Sequence, residues 1–200
     1  MHKIIGFAGM IGSGKNTAAH HLIKNYGYVG LSFAAAVKDC LAVIFHWDRA
    51  MLEGDTPESR QWRETVDSYW AKKLQIVDFS PRKAMKYIAT DLFRDNFNDN
   101  IWIYSLEKKI QTIDTNLVIT DCRFPNEAVM IKSVGGTLVR IARGSDPDWY
   151  GIARSYPEKM SSLYPSVHAS DYSWASIDFD LVIDNSGSIS DLTSQIDLLV

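Results

Sequence analysis

The sequence has few cysteines, no long apolar run and no excess of basic residues. Its two cysteines, Cys40 and Cys122, and the absence of CxxC or HExxH spacing exclude a disulfide framework and argue against a zinc site. No stretch approaches the roughly 18 apolar residues of a membrane-spanning helix, and the N-terminal apolar run is too short for a signal peptide. We therefore expect a reduced cytoplasmic protein without a membrane partner.

The charge balance also excludes one class of partner. The chain has 21 Lys and Arg against 24 Asp and Glu, a formal net charge of −3. Nucleic-acid polymers are bound by broad basic faces, which this balance does not favour. A local cluster of cations for one small anion is still compatible with it.

The residues that are present predict one globular domain with a layered α/β fold. Apolar residues make up 46% of the 200 positions and charged residues 22%, enough for a sizeable core. Short β-branched runs, typical of buried parallel strands, alternate with segments of helical periodicity. The predicted strands are residues 3–8, 28–33, 117–120, 137–142 and 179–183, and the predicted helices include 16–26, a segment from Ser80 to Phe93, and 189–199.

Two regions fit this alternation less well. Residues 46–79 are rich in Trp, Arg, Glu and Asp and predict helical insertions between the second and third strands. Residues 144–178 combine prolines, serines and aromatic residues, which predicts a long irregular segment. Long segments of this kind are often functional lids.

The strongest motif is the run from Gly9 to Thr17, Gly-Met-Ile-Gly-Ser-Gly-Lys-Asn-Thr. It follows an apolar strand and opens a helix, which is the context of a phosphate-binding P-loop. Glycines let backbone N–H groups turn toward phosphate oxygens, and Lys15 can reach the β- and γ-phosphates. The residues predicted to bind nucleotide are Ile11, Gly12, Ser13, Gly14, Lys15, Asn16 and Thr17. Asn16 stands where a P-loop usually has Ser or Thr, so the motif predicts the nucleotide site and leaves the Mg²⁺ ligand open.

A second motif follows the third predicted strand. Asp121 ends this strand in a Walker-B-like pattern and is a candidate Mg²⁺ ligand, although many strands end in an Asp that only serves the loop. Arg123 lies two residues later, at the edge of the sheet where open α/β folds bind ligands, and is a candidate phosphate ligand or a surface ion pair. We expect Asn126 to cap the next helix, with Glu127 in its first turn as a helix-dipole partner or a substrate contact.

Other cations are candidates for an acceptor anion. Arg82 lies at the border of its helix's apolar face near the N-terminus, whereas helical spacing directs Arg94 toward solvent. Lys38 follows the second strand and is a further candidate. Arg60, Arg63 and Arg143 are less clearly placed, and His168 has no partner that the sequence identifies.

Several stretches resemble the phage-type deoxynucleoside monophosphate kinases, the family of the T-even phage enzyme. The matching stretches are collinear over nearly the whole chain: Gly14-Lys15-Asn16-Thr17, 52–57, 81–83 with 89–92, Asp121-Cys122-Arg123 with Glu127, 135–137, Arg143, and 184–188. The resemblance implies a single P-loop kinase domain over residues 1–200, a three-layer α/β/α fold with parallel strand order 2-3-1-4-5. It also implies a helical nucleotide-monophosphate-binding insertion at about 46–100 and a lid at about 144–178.

The resemblance further implies transfer of the γ-phosphoryl group of ATP, with Mg²⁺, to the 5′-phosphate of a deoxynucleotide for dNTP synthesis. It assigns catalytic roles to Lys15, Arg82 and Arg123, and a place in the lid to Arg143. The residues it implies for binding the acceptor nucleotide are Lys38, Arg82, Arg123, Glu127 and Trp149. The residues it implies for binding the metal are Asn16, Thr17 and Asp121. A homodimer in the cytoplasm, that of the host for a phage protein, is also expected. Asn16 replaces a carboxylate of the phage enzyme.

Two alternatives are open at this point. One is another small-molecule kinase, such as a dephospho-coenzyme A kinase or a broad nucleoside monophosphate kinase. The other is a P-loop nucleotide switch, which would need a guanine-reading Asn-Lys-x-Asp tetrapeptide that the sequence lacks.

Overall fold

A five-stranded parallel sheet is the central element of the computed structural model, which describes residues 2–200. The strands are β1 (Ile4–Ala8), β2 (Val29–Leu31), β3 (Leu117–Ile119), β4 (Thr137–Ala142) and β5 (Leu181–Asp184). They pair in the order β2-β3-β1-β4-β5, and every neighbouring pair is parallel. The α/β class and the strand order are therefore confirmed. Strand β4 has the predicted bounds, β1, β2 and β3 are shorter than predicted, and β5 begins two residues later and ends one residue later than predicted.

The chain divides into two compact units. The sheet unit comprises residues up to Ser32 together with Leu106–Val200, and the helical unit comprises Phe33–Ser105. The helices of the sheet unit include α1 (Lys15–Tyr26), α7 (Pro125–Ser133) and α11 (Ile189–Asp197), and those of the helical unit are α2 (Ala35–Phe45), α3 (Pro57–Glu64), α4 (Ser68–Leu74) and α5 (Pro81–Lys86). Helix α6 (Ile101–Ile110) spans the boundary.

The core of the sheet unit joins the sheet to α1 and α11. Apolar side chains of all the strands except β2 enter this core, as expected for parallel strands covered on their faces. Members are Ile5, Phe7, Ala18, Ala19, Leu22, Tyr28, Val118, Val139, Ile141, Ile183, Leu192 and Ile196. Helix α1 begins one residue earlier than predicted and ends, as predicted, at Gly27 in a left-handed conformation.

The core of the helical unit is built from aromatic rings. Phe45 stacks on Trp47 at 4.5 Å between ring centroids, and Phe79 lies 5.4 Å from Phe45. Thr56 and Ser80 accept backbone N–H groups as N-caps of α3 and α5, and a proline follows each of them. The helices expected within 46–79 are α3 and α4.

The helix predicted from Ser80 to Phe93 is not a uniform α-helix. After α5 the chain continues as a π-helix, Tyr87–Arg94. The prediction that Arg94 faces solvent is wrong: this residue is 5% exposed, and its Nε donates to Asp99 Oδ1 at 2.9 Å. A π-helix has more residues per turn than an α-helix, so a wheel drawn at 100° per residue misplaces its last side chains.

Residues 144–178 are less irregular than expected. They contain α8 (Tyr150–Ser155), α9 (Met160–Leu163) and α10 (Ala169–Tyr172), with 3₁₀ turns at Pro157–Lys159 and Ser173–Ser176. Trp174 is buried against Trp149 and Tyr150, and the Arg140 guanidinium lies 4.5 Å from the Tyr150 ring centroid. These helices are too short for periodicity to reveal, and the contacts of Arg140 with the Tyr150 and Trp174 rings join the aromatic cluster to β4.

No helix within residues 2–200 combines the length and the apolar character needed to cross a bilayer.

Candidate phosphate-binding site

The loop between β1 and α1 has a backbone that requires glycine. Gly9, Gly12 and Gly14 have φ angles of 133°, 79° and 105°, which side-chain-bearing residues rarely adopt. A Cβ on Gly9 would lie 2.4 Å from the Ile141 carbonyl oxygen, and one on Gly14 would lie 2.3 Å from Asn185 Nδ2. The glycine turn inferred from the sequence therefore exists, and it places the N-terminus of α1 at its end, where the helix dipole favours an anion.

Lys15 folds back over this loop. Its Nζ donates to the carbonyl oxygens of Gly9 at 2.9 Å and Met10 at 2.7 Å. The pKa of Lys15 is lowered from 10.5 to about 8, by burial first and then by the positive charge of Arg123, while Asp121 opposes the shift. The Lys15 charge is thus under-compensated, which favours binding of an anion beside it.

Two chemistry-bearing residues follow β3. Asp121 accepts a hydrogen bond from the Ser32 hydroxyl at 2.8 Å, and Ser32 follows β2. Arg123 Nη1 lies 3.4 Å from the Ser170 carbonyl oxygen and 3.8 Å from Asp171 Oδ1. Both residues come from the carboxyl end of the sheet, as predicted, and the Arg123 guanidinium lies against the segment that contains α10.

Glu127 is buried, at 3% exposure, and its carboxylate holds the backbone around Arg123. Its Oε2 accepts the N–H groups of Arg123 at 2.7 Å and Phe124 at 3.1 Å.

The expectation that Asn126 caps this helix is wrong: α7 begins at Pro125 with Phe124 in the N-cap position. Proline favours the first helical position because it has no N–H to leave unsatisfied, so the helix begins two residues earlier than expected.

Lys15 and Arg123 line one cleft within the sheet unit. It holds about 260 Å³ of space open to solvent. Its lining residues are Gly9, Ile11, Lys15, Arg123, Ser170, Asp171 and Trp174. The sequence analysis missed the last three, and only the aromatic and serine content of residues 144–178 hinted at them.

Asn185 is a further residue that the sequence analysis did not single out by itself. It is buried after β5, and its Nδ2 donates to the Ser13 carbonyl oxygen at 2.7 Å. The same Nδ2 occupies the space that a side chain on Gly14 would need. Asn185 thereby fixes the last turn of the glycine loop from a position 172 residues away in the chain.

The remaining predicted residues lie in several places. Asn16 and Thr17 are exposed in the first turn of α1, Arg143 is exposed after β4, and Trp149 packs edge-on against Trp174. Lys38 and Arg82 belong to the helical unit, where Lys38 pairs with Glu53 at 2.5 Å and Arg82 with Glu64 at 2.8 Å. His168 does have a partner: its Nδ1 accepts the Ser170 N–H at 3.2 Å.

The donor set fits Mg²⁺ bound together with a nucleotide better than a metal held by protein alone. Within residues 2–200, no group of three or more His, Cys, Asp and Glu side chains could hold a metal ion. Nucleotide-associated Mg²⁺ needs only one or two protein ligands besides phosphates and water. The Asp121 carboxylate could serve as such a ligand. It lies close enough to Lys15 to oppose the lowering of the lysine's pKa.

The sequence is 33% identical over 208 residues to a protein of Acanthamoeba polyphaga mimivirus assigned as a deoxynucleotide monophosphate kinase, covering 96% of this chain and 93% of that protein. This chain belongs to the deoxynucleotide monophosphate kinase family. It is also 22% identical over 249 residues to the deoxynucleotide monophosphate kinase of Enterobacteria phage T4, covering 97% of each chain. The resemblance found in the sequence is therefore confirmed.

Similarity to solved structures supports the fold. The structure of the dephospho-CoA kinase from Campylobacter jejuni is similar to that of this kinase, with a TM-score of 0.50 and 13% sequence identity. The similarity covers 98% of this chain and 95% of the other chain. At that identity the match concerns the fold alone. No model of a known protein family matches the sequence.

Proposed function

We propose that this kinase transfers the γ-phosphoryl group of ATP to the 5′-phosphate of a deoxynucleoside monophosphate. The observation that carries the proposal is that Lys15 of the glycine loop and Arg123, which follows β3, line the same cleft. The pKa of Lys15 is lowered by burial first and then by the charge of Arg123, so the two cations repel each other. A polyphosphate between them would relieve that repulsion.

In this proposal the glycine loop and Lys15 bind ATP. Backbone N–H groups of residues 11–17 face the β- and γ-phosphates, and Lys15 exchanges its carbonyl partners for phosphate oxygens. A 5′-phosphate oxygen of the acceptor then attacks the γ-phosphorus, the bond to the β-phosphate oxygen breaks, and ADP leaves. Phosphoryl transfer needs positioning and charge neutralisation more than covalent help, and cationic side chains supply both.

The proposed ligands of the acceptor phosphate are Arg123 in the sheet unit and Arg82 and Lys38 in the helical unit. Glu127 supports Arg123 through its backbone, so its expected role at the acceptor is indirect. Trp149 belongs to the proposed lid of residues 144–178, and the exposed Arg143, also assigned to the lid, directly precedes this segment. Closure of this lid would exclude water that competes with the acceptor for the γ-phosphoryl group.

Mg²⁺ would be held by Asp121 and the hydroxyl of Thr17, with Asn16 as a neighbouring amide. When bound, the ion supplies positive charge that neutralises the phosphate oxygens during transfer. Its remaining ligands would come from the nucleotide and water.

A coupled assay for ADP release tests the proposal. ATP is supplied with a panel of deoxynucleoside monophosphates, ribonucleoside monophosphates and dephospho-coenzyme A. We expect turnover with one or more deoxynucleotides and none with dephospho-coenzyme A. Turnover of nucleotide with no acceptor dependence would instead favour a P-loop switch and contradict the proposal.

A further inference from the structure

Helix α10 has only four residues, yet it forms part of the wall of the cleft that contains Lys15 and Arg123. Ser170 and Asp171, in its single turn, line this cleft. A helix this short satisfies few of its own backbone groups, so side chains outside it must hold its shape. Whatever holds α10 therefore also decides where this part of the wall lies.

His168, the N-cap residue of α10, contacts Ser170 twice through one ring nitrogen. Its Nδ1 accepts the Ser170 N–H at 3.2 Å and lies 2.8 Å from the Ser170 hydroxyl oxygen. A ring nitrogen that accepts an N–H carries no proton, so the hydroxyl is the donor in the second contact. Ser170 is 8% exposed, and buried donors that lose their acceptor are costly. His168 thus fixes the backbone and the side chain of Ser170 together.

The other side of α10 is held independently of His168. Trp174 is buried, and its Nε1 donates to the Asp171 carbonyl oxygen at 2.8 Å. The Arg140 guanidinium, on β4, lies 5.2 Å from the centroid of a Trp174 ring. Loss of the His168 ring should therefore release Ser170 while the rest of the segment stays attached to the sheet.

Ser170 in turn provides a contact for Arg123. The Ser170 carbonyl oxygen lies 3.4 Å from Arg123 Nη1, and Asp171 Oδ1 lies 3.8 Å from the same nitrogen. Glu127 holds the Arg123 backbone, so the Ser170 contact adds a second fixed point at the far end of a long side chain. A guanidinium has five N–H donors in one plane, and a single carbonyl leaves most of them for phosphate oxygens.

We propose that His168 is a positioning residue for phosphoryl transfer, because its cap on α10 holds the Ser170 carbonyl where it orients the Arg123 guanidinium. This inference rests on the proposed function, in which Arg123 binds phosphate, and it adds a residue for which the sequence identified no partner. An arginine that is already oriented loses less side-chain entropy when phosphate arrives. His168 acts only through Ser170 and Arg123.

Steady-state kinetics of three variants test the role of the ring nitrogen. His168→Ala should lower kcat/KM for the deoxynucleotide about three- to tenfold, the effect of one lost hydrogen bond, and leave the KM for ATP nearly constant. His168→Asn should recover most of this loss, because an asparagine N-cap also accepts an N–H from the first turn. His20→Ala removes an exposed histidine of α1 and is the control, which should match wild type.

A double-mutant cycle separates positioning from general support of the fold. In an Arg123→Ala enzyme, His168→Ala should change kcat/KM for the deoxynucleotide by less than about twofold, because the group that it orients is already absent. Thermal unfolding checks that each variant is folded. If His168→Ala does not fold, His168→Leu, which keeps more of the volume and has no acceptor, takes its place in the cycle.

Three outcomes would overturn the inference. Multiplicative losses in the double variant would show that His168 acts independently of Arg123. Equal increases in the KM values for ATP and deoxynucleotide, or a His168→Asn variant no better than His168→Ala, would leave His168 a structural role alone. Failure of the proposed function has a different signature: the wild-type protein would phosphorylate no deoxynucleotide in the presence of ATP, and the inference would fall with it.

Discussion

The glycine loop of the sheet unit and the proposed acceptor cations of the helical unit, Lys38 and Arg82, would bind an anion in different ways. In the first, backbone conformation forms the site: Gly9 and Gly14 have positive φ angles and lie against Ile141 and Asn185. In the helical unit, the long side chains of Lys38 and Arg82 would form the site, and each already pairs with a carboxylate. A backbone site is preorganised, whereas a side-chain site must exchange partners when its ligand arrives. The comparison predicts larger losses from changes at the glycine loop.

The largest expected effect is at Lys15. Lys15→Ala should lower kcat by about 10²- to 10³-fold, because it removes the cation that faces the phosphates. The coupled assay measures the loss, and thermal unfolding reports whether the fold survives. Lys24→Ala, in the last turn of the same helix, is the control. A Lys15→Ala enzyme with wild-type kcat would contradict the assignment of the loop.

Arg123 should show a smaller effect that divides between two parameters. We expect Arg123→Ala to raise the acceptor KM and lower kcat, each by about tenfold or more, because a phosphate contact is lost from both the bound and the transition state. Steady-state kinetics with the acceptor varied at saturating ATP separates the two. Unchanged values of both would make Arg123 a structural partner of Ser170 and Asp171 only.

The pH profile tests the charge of Lys15. With its pKa lowered to about 8, the free enzyme loses this charge as pH rises through that value, so kcat/KM for ATP should fall by about tenfold per unit above pH 8. The free energy of unfolding has the opposite pH dependence. Because burial disfavours the charged form of Lys15, this residue lowers the free energy of unfolding below pH 8, and that loss disappears as pH rises toward 10.5. Lys15→Arg keeps its charge, so its lower activity should not show this fall. A profile that is flat to pH 10 in wild type contradicts the prediction.

Asn185 gives the smallest expected effect and sharpens the comparison most. Asn185→Ala should raise the KM for ATP about three- to tenfold and leave the acceptor KM unchanged, because the loop loses one buried hydrogen bond at Ser13. Asn185→Asp keeps the size but lacks the donor, so it should behave like the alanine variant. Equal increases in both KM values would mean that Asn185 stabilises the unit as a whole.

Much of this protein is encoded locally. The strand runs, the P-loop spacing and the Ser80 cap depend on residues close in sequence, and each predicted the element that forms. Arg94 and Asn126 were misplaced for local reasons too. A π-helix changes the spacing on which the prediction for Arg94 depended, and Pro125 takes the first helical position of α7, ahead of Asn126.

The sequence by itself determined the α/β alternation, the glycine loop and the family, because these follow from short-range periodicity, backbone preference and collinear motifs. Only the tertiary structure decided that Asn185 fixes the loop, that Ser170, Asp171 and Trp174 line the cleft, and that Ser170 contacts Arg123. Such contacts join residues by packing and side-chain hydrogen bonds, which have no fixed spacing along the chain. Their physical consequences, such as the lowered pKa of Lys15, exist only once the chain is folded.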